Sequence, residues 1–148
     1  MYKFIVFFLL FSSQLFGALA EEYFLTLRNE TVNLRQGPSF EYPVKIFYKK
    51  KYLPVLVQDK SGNFRKIKDH ENNTGWIHVS QLSKKKAAIS IDENTMIFKS
   101  PTLFSKPLAI MEIGKHCLVI KCKKVWCKVR VGKYSGWVKK DSLWGRLF

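Results

Sequence analysis

Short runs of alternating apolar and polar residues dominate the chain, and helical periodicity is almost absent. The runs are rich in β-branched and aromatic residues and are separated by turn residues; they read YLPVLVQ, FRKIKD, GWIHV, HCLVIKC, VWCKVRV and GWVKK. Turn candidates are Ser61-Gly62-Asn63 and Val131-Gly132-Lys133. Many short strands at this spacing predict an all-β barrel or sandwich.

The same pattern occurs twice along the chain. Gly75-Trp76 and Gly136-Trp137 lie 61 positions apart, and Pro38 and Pro101 lie 63 apart. A drift of one or two positions is what changes in loop length produce. The repeat predicts two compact modules in tandem. We assign the first module to residues 21–83, the linker to 84–88 and the second module to 89–148.

The N-terminus has the pattern of a secretory signal peptide. Lys3 precedes an apolar run from Phe4 to Phe11, and Ala18-Leu19-Ala20 has the small residues of a cleavage site. The uninterrupted run is too short for a membrane anchor, because a bilayer needs ~20 apolar residues. We therefore predict a signal peptide at residues 1–20, cleavage after Ala20, and a periplasmic or secreted protein.

A sharp break in the first module lies in VNLRQGPSFEYPV, residues 32–44. Strand alternation stops at Gly37-Pro38, where glycine permits unusual backbone angles and proline removes a donor from the sheet. The stretch is predicted to be a strand-to-loop corner. In the second copy Phe98 replaces Arg35 and Ser100 replaces Gly37, so the repeat supports neither a second corner of the same kind nor a ligand role for Arg35.

The first corner, with TGWIHVSQL closing the module, resembles a bacterial SH3 domain from about Phe24 to Leu82. The second module, from SPTLFSKPL to KKDSLWG, resembles the divergent second repeat of exported alphaproteobacterial proteins that carry two such domains. The resemblance implies two tandem, small, five-stranded SH3-like β-barrels. It implies no particular activity.

Candidate ligand-binding residues gather around the first corner. Such barrels usually carry recognition there, and Arg35, Tyr42, Tyr48 and Tyr52 are close to it in sequence. Trp76 follows a glycine and has two interpretations: an aromatic platform for a sugar or peptide, or a packing residue of a small core. We favour packing for Trp76, and our predicted binding set is Arg35, Tyr42 and Tyr48 together with Trp76.

All three cysteines lie in the second module, and an exported chain meets an oxidising compartment. If Lys123-Lys124 forms a tight hairpin turn, Cys122 and Cys127 share one face in diagonal positions. We predict a disulfide between these two residues. Cys117 has the opposite parity and is predicted to be free.

The sequence offers little for catalysis or metal binding. There is no paired CxxC motif, and only His70, His78 and His116 supplement the cysteines, so no metal site is predicted. A cysteine nucleophile is disfavoured because His116 would point away from Cys117 on a strand. We expect no catalytic residue and no cofactor.

Positive charge is concentrated in the second half of the chain. Residues 84–148 hold 15 Lys/Arg and 4 Asp/Glu, a net of +11, whereas residues 21–83 have a net of +3. This charge suggests an anionic envelope surface or an acidic partner, or simply a soluble basic surface. Two lysine triplets, Lys49–Lys51 in the first half and Lys84–Lys86 in the linker, are expected to give edge protection, solvation or diffuse attraction rather than specific recognition.

Three functions remain open at this stage. The first is a non-catalytic envelope-binding protein that recognises peptidoglycan peptide, another wall polymer or an envelope protein. The second is a structural or adaptor protein acting through protein–protein contacts or homo-oligomerisation. The third is a small hydrolase, which lacks a nucleophile–base–acid set at workable spacing. Nucleic-acid binding fits the charge but not the signal peptide, so the predicted partners include no nucleic acid and no membrane span in the mature form.

Overall fold

A computed structural model describes residues 20–148. The predicted signal peptide lies outside these residues except for Ala20, so its cleavage stays a prediction. In the part of the chain that is described, there is no helix of sufficient length and apolarity to cross a bilayer. The strands fall into two sheets, one in each half of the chain.

The first sheet has seven strands. They are β1 (Tyr23–Leu27), β2 (Val32–Arg35), β3 (Val44–Tyr48), β4 (Pro54–Ser61), β5 (Phe64–Lys68), β6 (Thr74–His78) and β7 (Leu82–Ser83). A 3-10 turn, Val79–Gln81, connects β6 to β7. The sheet order is β3-β2-β6-β5-β4-β1-β7, with antiparallel neighbours throughout.

The second sheet repeats the first. Its strands are β8 (Ala87–Ser90), β9 (Thr95–Phe98), β10 (Pro107–Met111), β11 (His116–Lys123), β12 (Trp126–Val131), β13 (Tyr134–Lys139) and β14 (Leu143–Arg146). The 3-10 turn Lys140–Ser142 precedes β14. The order β10-β9-β13-β12-β11-β8-β14 is that of the first sheet, strand for strand.

These sheets confirm the predicted all-β tandem fold and change its strand count. Each unit has seven strands rather than five. Beyond β4 the first sheet continues with β1 and β7, and beyond β11 the second continues with β8 and β14. Each sheet order also has two ends, at β3 and β7 or at β10 and β14, and is not a closed ring. Since β8 begins at Ala87, the second sheet starts inside the range that we predicted as linker.

Each sheet curls around its own apolar core. Strand alternation turns every second side chain inward, and β-branched residues fill that face well. The first core consists of Leu27, Val32, Leu34, Tyr48, Val55, Val57, Ile67, Ile77 and Leu82. The second consists of Ala88, Ile97, Met111, Cys117, Val119, Cys127, Val129, Val138 and Leu143. The two cores give two independently filled units.

The disulfide between Cys122 and Cys127 is confirmed, although the predicted register was wrong. The turn is Lys124-Val125, so the two cysteines stand directly opposite each other with Cα atoms 4.0 Å apart. A β-bulge between Val119 and Lys121 inserts one residue and resets the alternation. Cys117 is the free thiol, as predicted, but it points into the same core as Cys127 rather than to the opposite face.

The two units pack against each other through their terminal strands. The Phe24 ring meets the Trp144 ring edge-on, with centroids 4.9 Å apart. The Arg146 guanidinium donates to the carbonyl of Phe24 at 2.8 Å and to that of Lys84 at 3.0 Å. At another point His116 Nε2 lies 2.9 Å from the Tyr52 carbonyl oxygen. An aromatic contact and hydrogen bonds therefore join the two units at two separate places.

Candidate functional site

The corner predicted at Gly37-Pro38 is a braced loop between β2 and β3. The Gln36 N–H donates to the Pro43 carbonyl at 3.1 Å and closes the loop. The Tyr42 ring lies so close to Gly37 that a Cβ there would come within 2.5 Å of it. Any larger residue at position 37 would displace Tyr42, which explains the glycine.

Arg35, at the end of β2, holds this loop in place. Its Nη1 atom donates to the Phe40 carbonyl at 3.1 Å and to the Tyr42 carbonyl at 2.9 Å. Its guanidinium carbon lies 5.3 Å from the centroid of the Phe40 ring, within cation–π distance. Arg35 and Tyr42 are thus brought together as predicted, and the guanidinium retains further N–H donors.

Phe40 is a residue of this surface that sequence reasoning missed. Its ring is 63% exposed and packs against Phe64, with centroids 5.2 Å apart, and against His78 at 5.0 Å. His78 Nδ1 accepts a hydrogen bond from the Ser80 N–H at 3.2 Å, which fixes the imidazole. The only sequence signal was an aromatic residue directly after Gly-Pro-Ser, within a loop that has no periodicity.

Trp76 is half-buried and stands opposite Arg35 in the single residue pair that joins β2 to β6. Gly75 makes this approach possible, because a Cβ there would lie 2.7 Å from the Arg35 carbonyl oxygen. The glycine therefore serves the backbone contact between strands. The partial exposure of Trp76 is compatible with either interpretation of its ring, packing or platform.

Tyr48 does not lie with the other predicted site residues, and this placement corrects the predicted binding set. It is 8% exposed and belongs to the first core. Its hydroxyl donates to Asp69 Oδ2 at 2.8 Å. Burial, followed by the hydrogen bond and the negative charge of Asp69, raises the pKa of Tyr48 well above its ordinary value. Its ring is therefore not accessible for stacking on a ligand. Tyr52 also has a different role from the corner residues: it lies at the junction of the two units, where its carbonyl oxygen contacts His116.

We call the remaining set the corner surface, and it consists of Arg35, Phe40, Tyr42, Trp76 and His78. It offers exposed aromatic side chains beside the Arg35 guanidinium, which is hydrogen-bonded to the loop. Aromatic faces stack on apolar groups and sugar rings, and a guanidinium donates paired hydrogen bonds to a carboxylate. The arrangement suits recognition of a ligand that combines an apolar face with an acid.

The residues considered for catalysis or metal binding, Cys117 and His116 among them, are not arranged for either role. Burial raises the pKa of the Cys117 thiol to about 12, so it is a poor nucleophile at neutral pH. Within residues 20–148, no three His, Cys, Asp or Glu side chains converge as metal ligands. His116, the neighbour of Cys117, is engaged with the Tyr52 carbonyl in the other unit.

A family of known proteins matches both units. The sequence model described as "Bacterial SH3 domain" matches residues 28–84 and 92–145. No curated protein sequence matches the chain significantly.

Solved structures show a distant likeness. NlpC2 from Trichomonas vaginalis is 11% identical with a TM-score of 0.39, covering 84% of this chain and 48% of that one. NlpC1 from the same organism is 12% identical with a TM-score of 0.38, covering 83% and 45%. An NlpC/P60 family protein from Bacillus cereus ATCC 10987 is 12% identical with a TM-score of 0.38, covering 82% and 56%. The chain spans about half the length of these proteins, and a likeness this distant carries no argument about activity.

Proposed function

The chain belongs to the bacterial SH3 domain family, and we propose that it is a non-catalytic exported protein that binds a component of the cell envelope. The ligand is peptidoglycan peptide, another wall polymer or an envelope protein. The observation that carries this proposal is the corner surface of the first unit, where Arg35 holds a loop with two exposed aromatic side chains, Phe40 and Tyr42.

Recognition at the corner surface depends on short-range contacts. Phe40 and Tyr42 supply apolar stacking area, and the N–H donors of Arg35 that the loop leaves unused bind an acid group of the ligand. Because Arg35 already orders the loop, the aromatic rings are positioned before a ligand arrives. Such preorganisation lowers the entropy lost on binding.

The second half of the chain contributes long-range attraction. Its net charge of +11 steers the protein toward anionic surfaces but selects none of them. Salt separates the two contributions, because the screening length falls from ~10 Å at 0.1 M to ~3 Å at 1 M. Stacking is not screened in this way, so specific binding survives high salt.

The test is co-sedimentation of the mature protein with purified sacculi at low and high salt. Replacing Phe40 and Tyr42 by Ala should remove the salt-resistant fraction while the circular dichroism spectrum is retained. Ile113→Ala/Val125→Ala is the matched control, because both side chains are exposed apolar residues of the second unit outside the corner surface. Equal salt-resistant binding by the double variant and the control would exclude the corner surface as the wall-binding site.

The non-catalytic role and the location have tests of their own. Purified protein should leave peptidoglycan and general peptide or ester substrates unchanged; turnover that disappears in Cys117→Ser would contradict this. Intact-mass measurement of the exported protein should give an N-terminus at Glu21. A mature protein that retains residues 1–20 would contradict the proposed periplasmic or secreted location.

An adaptor function is the second candidate, and the loop of the second unit favours it. Leu103 and Phe104 are exposed side by side at its tip, an arrangement typical of protein contact surfaces. An adaptor acting here would capture an envelope protein, or form an oligomer detected by light scattering, and Phe104→Ala would reduce either one. A monomer that captures the same proteins with and without Phe104 would remove this candidate.

A further inference from the structure

A basic cleft lies where the two units meet, away from the corner surface. It has a volume of about 510 Å³ and is lined from both units. The first unit contributes Lys50 and Lys51 from the β3–β4 connection, and the second contributes Lys115 and Arg130. The cleft therefore exists only when both units are in place.

Positive charge in this cleft is not balanced by the protein. All four cationic side chains are exposed, and Glu30 is the one acid that lines the cleft with them. The ion pair found within residues 20–148 joins His70 to Glu71, at 3.4 Å, and involves none of the four cations of the cleft. Lys51 Nζ also lies 5.1 Å from the centroid of the Tyr52 ring. Four cations with one acid among them leave an excess of positive charge, and a bound anion relieves the repulsion between them.

The backbone beneath the cleft is fixed from both sides. Tyr52 takes a left-handed conformation, with φ of 61°, and its N–H donates to the Leu27 carbonyl at 2.8 Å. The Tyr52 carbonyl oxygen lies 2.9 Å from His116 Nε2 of the second unit. The lysines preceding Tyr52 and the lysine preceding His116 are thereby held facing one cleft.

His116 lines the cleft but does not contribute to its positive charge. Burial first, and then the positive charge of Lys50, lower the pKa of His116, against the raising effect of the Tyr52 carbonyl. The imidazole is consequently neutral at neutral pH and donates its Nε2–H to that carbonyl. The lysines and Arg130 therefore supply the positive field of the cleft.

We propose that this cleft is a binding site for a compact anion that carries several phosphate groups, held between the two units. Lysine ammonium groups bind phosphate as point charges, and arginine adds paired hydrogen bonds. The volume is within the usual range for small-ligand sites, about 300–1,000 Å³. A single carboxylate would neutralise one of the four cations, whereas an oligophosphate places several charges in this space. The site goes beyond the proposed envelope recognition at the corner surface, and its source is a phosphorylated lipid headgroup or a free oligophosphate.

The test is calorimetric titration of the mature protein with sodium tripolyphosphate at fixed, near-physiological salt. Wild type should bind with one site per chain. Lys115→Gln/Arg130→Gln should weaken binding about tenfold or more, because charge-assisted hydrogen bonds are lost. The matched control is Lys123→Gln/Lys124→Gln, which removes the same charge from an exposed hairpin and should weaken binding less than about twofold. Absence of wild-type binding, or equal weakening in the two variants, overturns the proposal.

Two arms distinguish the sources of the phosphate. Vesicles of phosphatidylcholine with phosphatidylinositol 4,5-bisphosphate, whose headgroup carries several phosphates, are compared with pure phosphatidylcholine vesicles in flotation, with and without tripolyphosphate. Flotation that tripolyphosphate and Lys115→Gln/Arg130→Gln both abolish supports a headgroup; no flotation alongside calorimetric binding supports a free oligophosphate. Shifts of the His116 ring signals on titration provide a local readout. Phe40 and Tyr42 variants should bind tripolyphosphate normally, so failure here is distinct from failure of sacculus binding.

Discussion

The two units share one sheet order but use the same outer face in different ways. In the first unit β2 ends with Arg35, which donates to the corner loop and lies under an exposed Phe40. In the second unit the matching residue is Phe98, which packs with Trp126 and Trp137 in a separate cluster. Each ring of that cluster is 8% exposed. The first unit therefore exposes aromatic side chains at this face, whereas the second unit buries them.

The residue that ends β2 or β9 accounts for part of the difference at this face. Phe98 meets Trp126 edge-on, with centroids 5.7 Å apart, and its ring has no N–H donor for the carbonyl groups of the neighbouring loop. Lysine ammonium groups then cover the tryptophans: Lys139 over Trp126 at 5.5 Å and Lys121 over Trp137 at 5.7 Å. The exchange of Arg35 for Phe98 thus accompanies the change from an exposed candidate binding surface to a packed one, together with Phe64 for Trp126.

The interiors differ as well. Tyr48 and Asp69 form a buried polar pair in the first core, whereas Met111 occupies the position of Tyr48 in the second. At the β4–β5 hairpin Lys60 faces Arg65, and at the matching β11–β12 hairpin Cys122 faces Cys127. The buried tyrosine–carboxylate pair therefore belongs to the first unit, and the covalent crosslink belongs to the second.

Removal of Asp69 is expected to have the largest effect. Its carboxylate accepts from the Tyr48 hydroxyl at 2.8 Å and from the backbone N–H groups of Glu71 and Asn73 at 2.9 Å. Asp69→Ala should lower the free energy of unfolding of the first unit by about 3 kcal/mol or more, because buried donors lose their acceptor. Urea denaturation measures this. Asp59→Ala, at an exposed position, is the control, and equal effects of the two would contradict the assigned role.

Loss of the disulfide should have the next largest effect, confined to the second unit. Cys122→Ser/Cys127→Ser removes a crosslink over a short loop, which stabilises by ~2 kcal/mol in the chain-entropy model. Lys60→Ser/Arg65→Ser alters the matching hairpin and should change stability by about 0.5 kcal/mol at most. Hydrogen exchange resolves the two units. If both double variants lower stability equally, the crosslink is not the source of the difference.

Arg35→Phe tests whether the first face can be converted to the second. The loop would lose two hydrogen bonds to carbonyl groups, each worth about 1 kcal/mol. Amide exchange of Glu41 and Tyr42 should accelerate, and the salt-resistant sacculus binding should fall. Arg35→Lys keeps the charge without the planar donor geometry and should show most of the same loosening. Unchanged exchange in Arg35→Phe would mean that the loop is ordered without this side chain.

The effect that is smallest at neutral pH concerns Cys117, whose position in the first unit is occupied by Val55. Burial raises the pKa of the thiol from its ordinary value of 9.0 to about 12. Between these values the unfolded chain loses the proton that the folded chain keeps, so stability falls as the pH rises. Cys117→Val should remove this fall in the second unit, and Val55→Cys should introduce it in the first. Urea midpoints measured against pH provide the check; identical pH profiles for wild type and Cys117→Val would refute the raised pKa.

Much of the fold was predictable because repeated residues mark repeated geometry. Gly75 and Gly136 recur since a Cβ at either would lie within 3 Å of a neighbouring backbone oxygen, 2.7 Å and 2.6 Å respectively. Such close approaches are visible in one sequence as an internal match. The extra terminal strands were not predictable, because the two pairs that join β7 to β1 leave no periodic signal.

The candidate site was predicted less completely. Tyr48 shares the alternation of Val44 and Ile46, which indicates an inward direction, whereas its nearness to the corner in sequence carries no information about direction. Phe40 lies in a loop, where no alternation reports direction. The cysteine register was missed because a bulge inserts one residue at Ile120, and the sequence does not mark where a strand gains such a residue.

The terminal strands also determine how the protein responds to pulling. The chain enters the first unit at β1 and leaves it at β7, and these neighbours are joined by two pairs, Thr26 with Ser83 and Leu27 with Leu82. In the second unit β8 and β14 are joined by four pairs. Because the strands are antiparallel neighbours, tension on the two ends peels the pairs apart in sequence rather than loading them together. Stretched between two attachments, the chain should yield first in the unit that carries the corner surface and later in the crosslinked one.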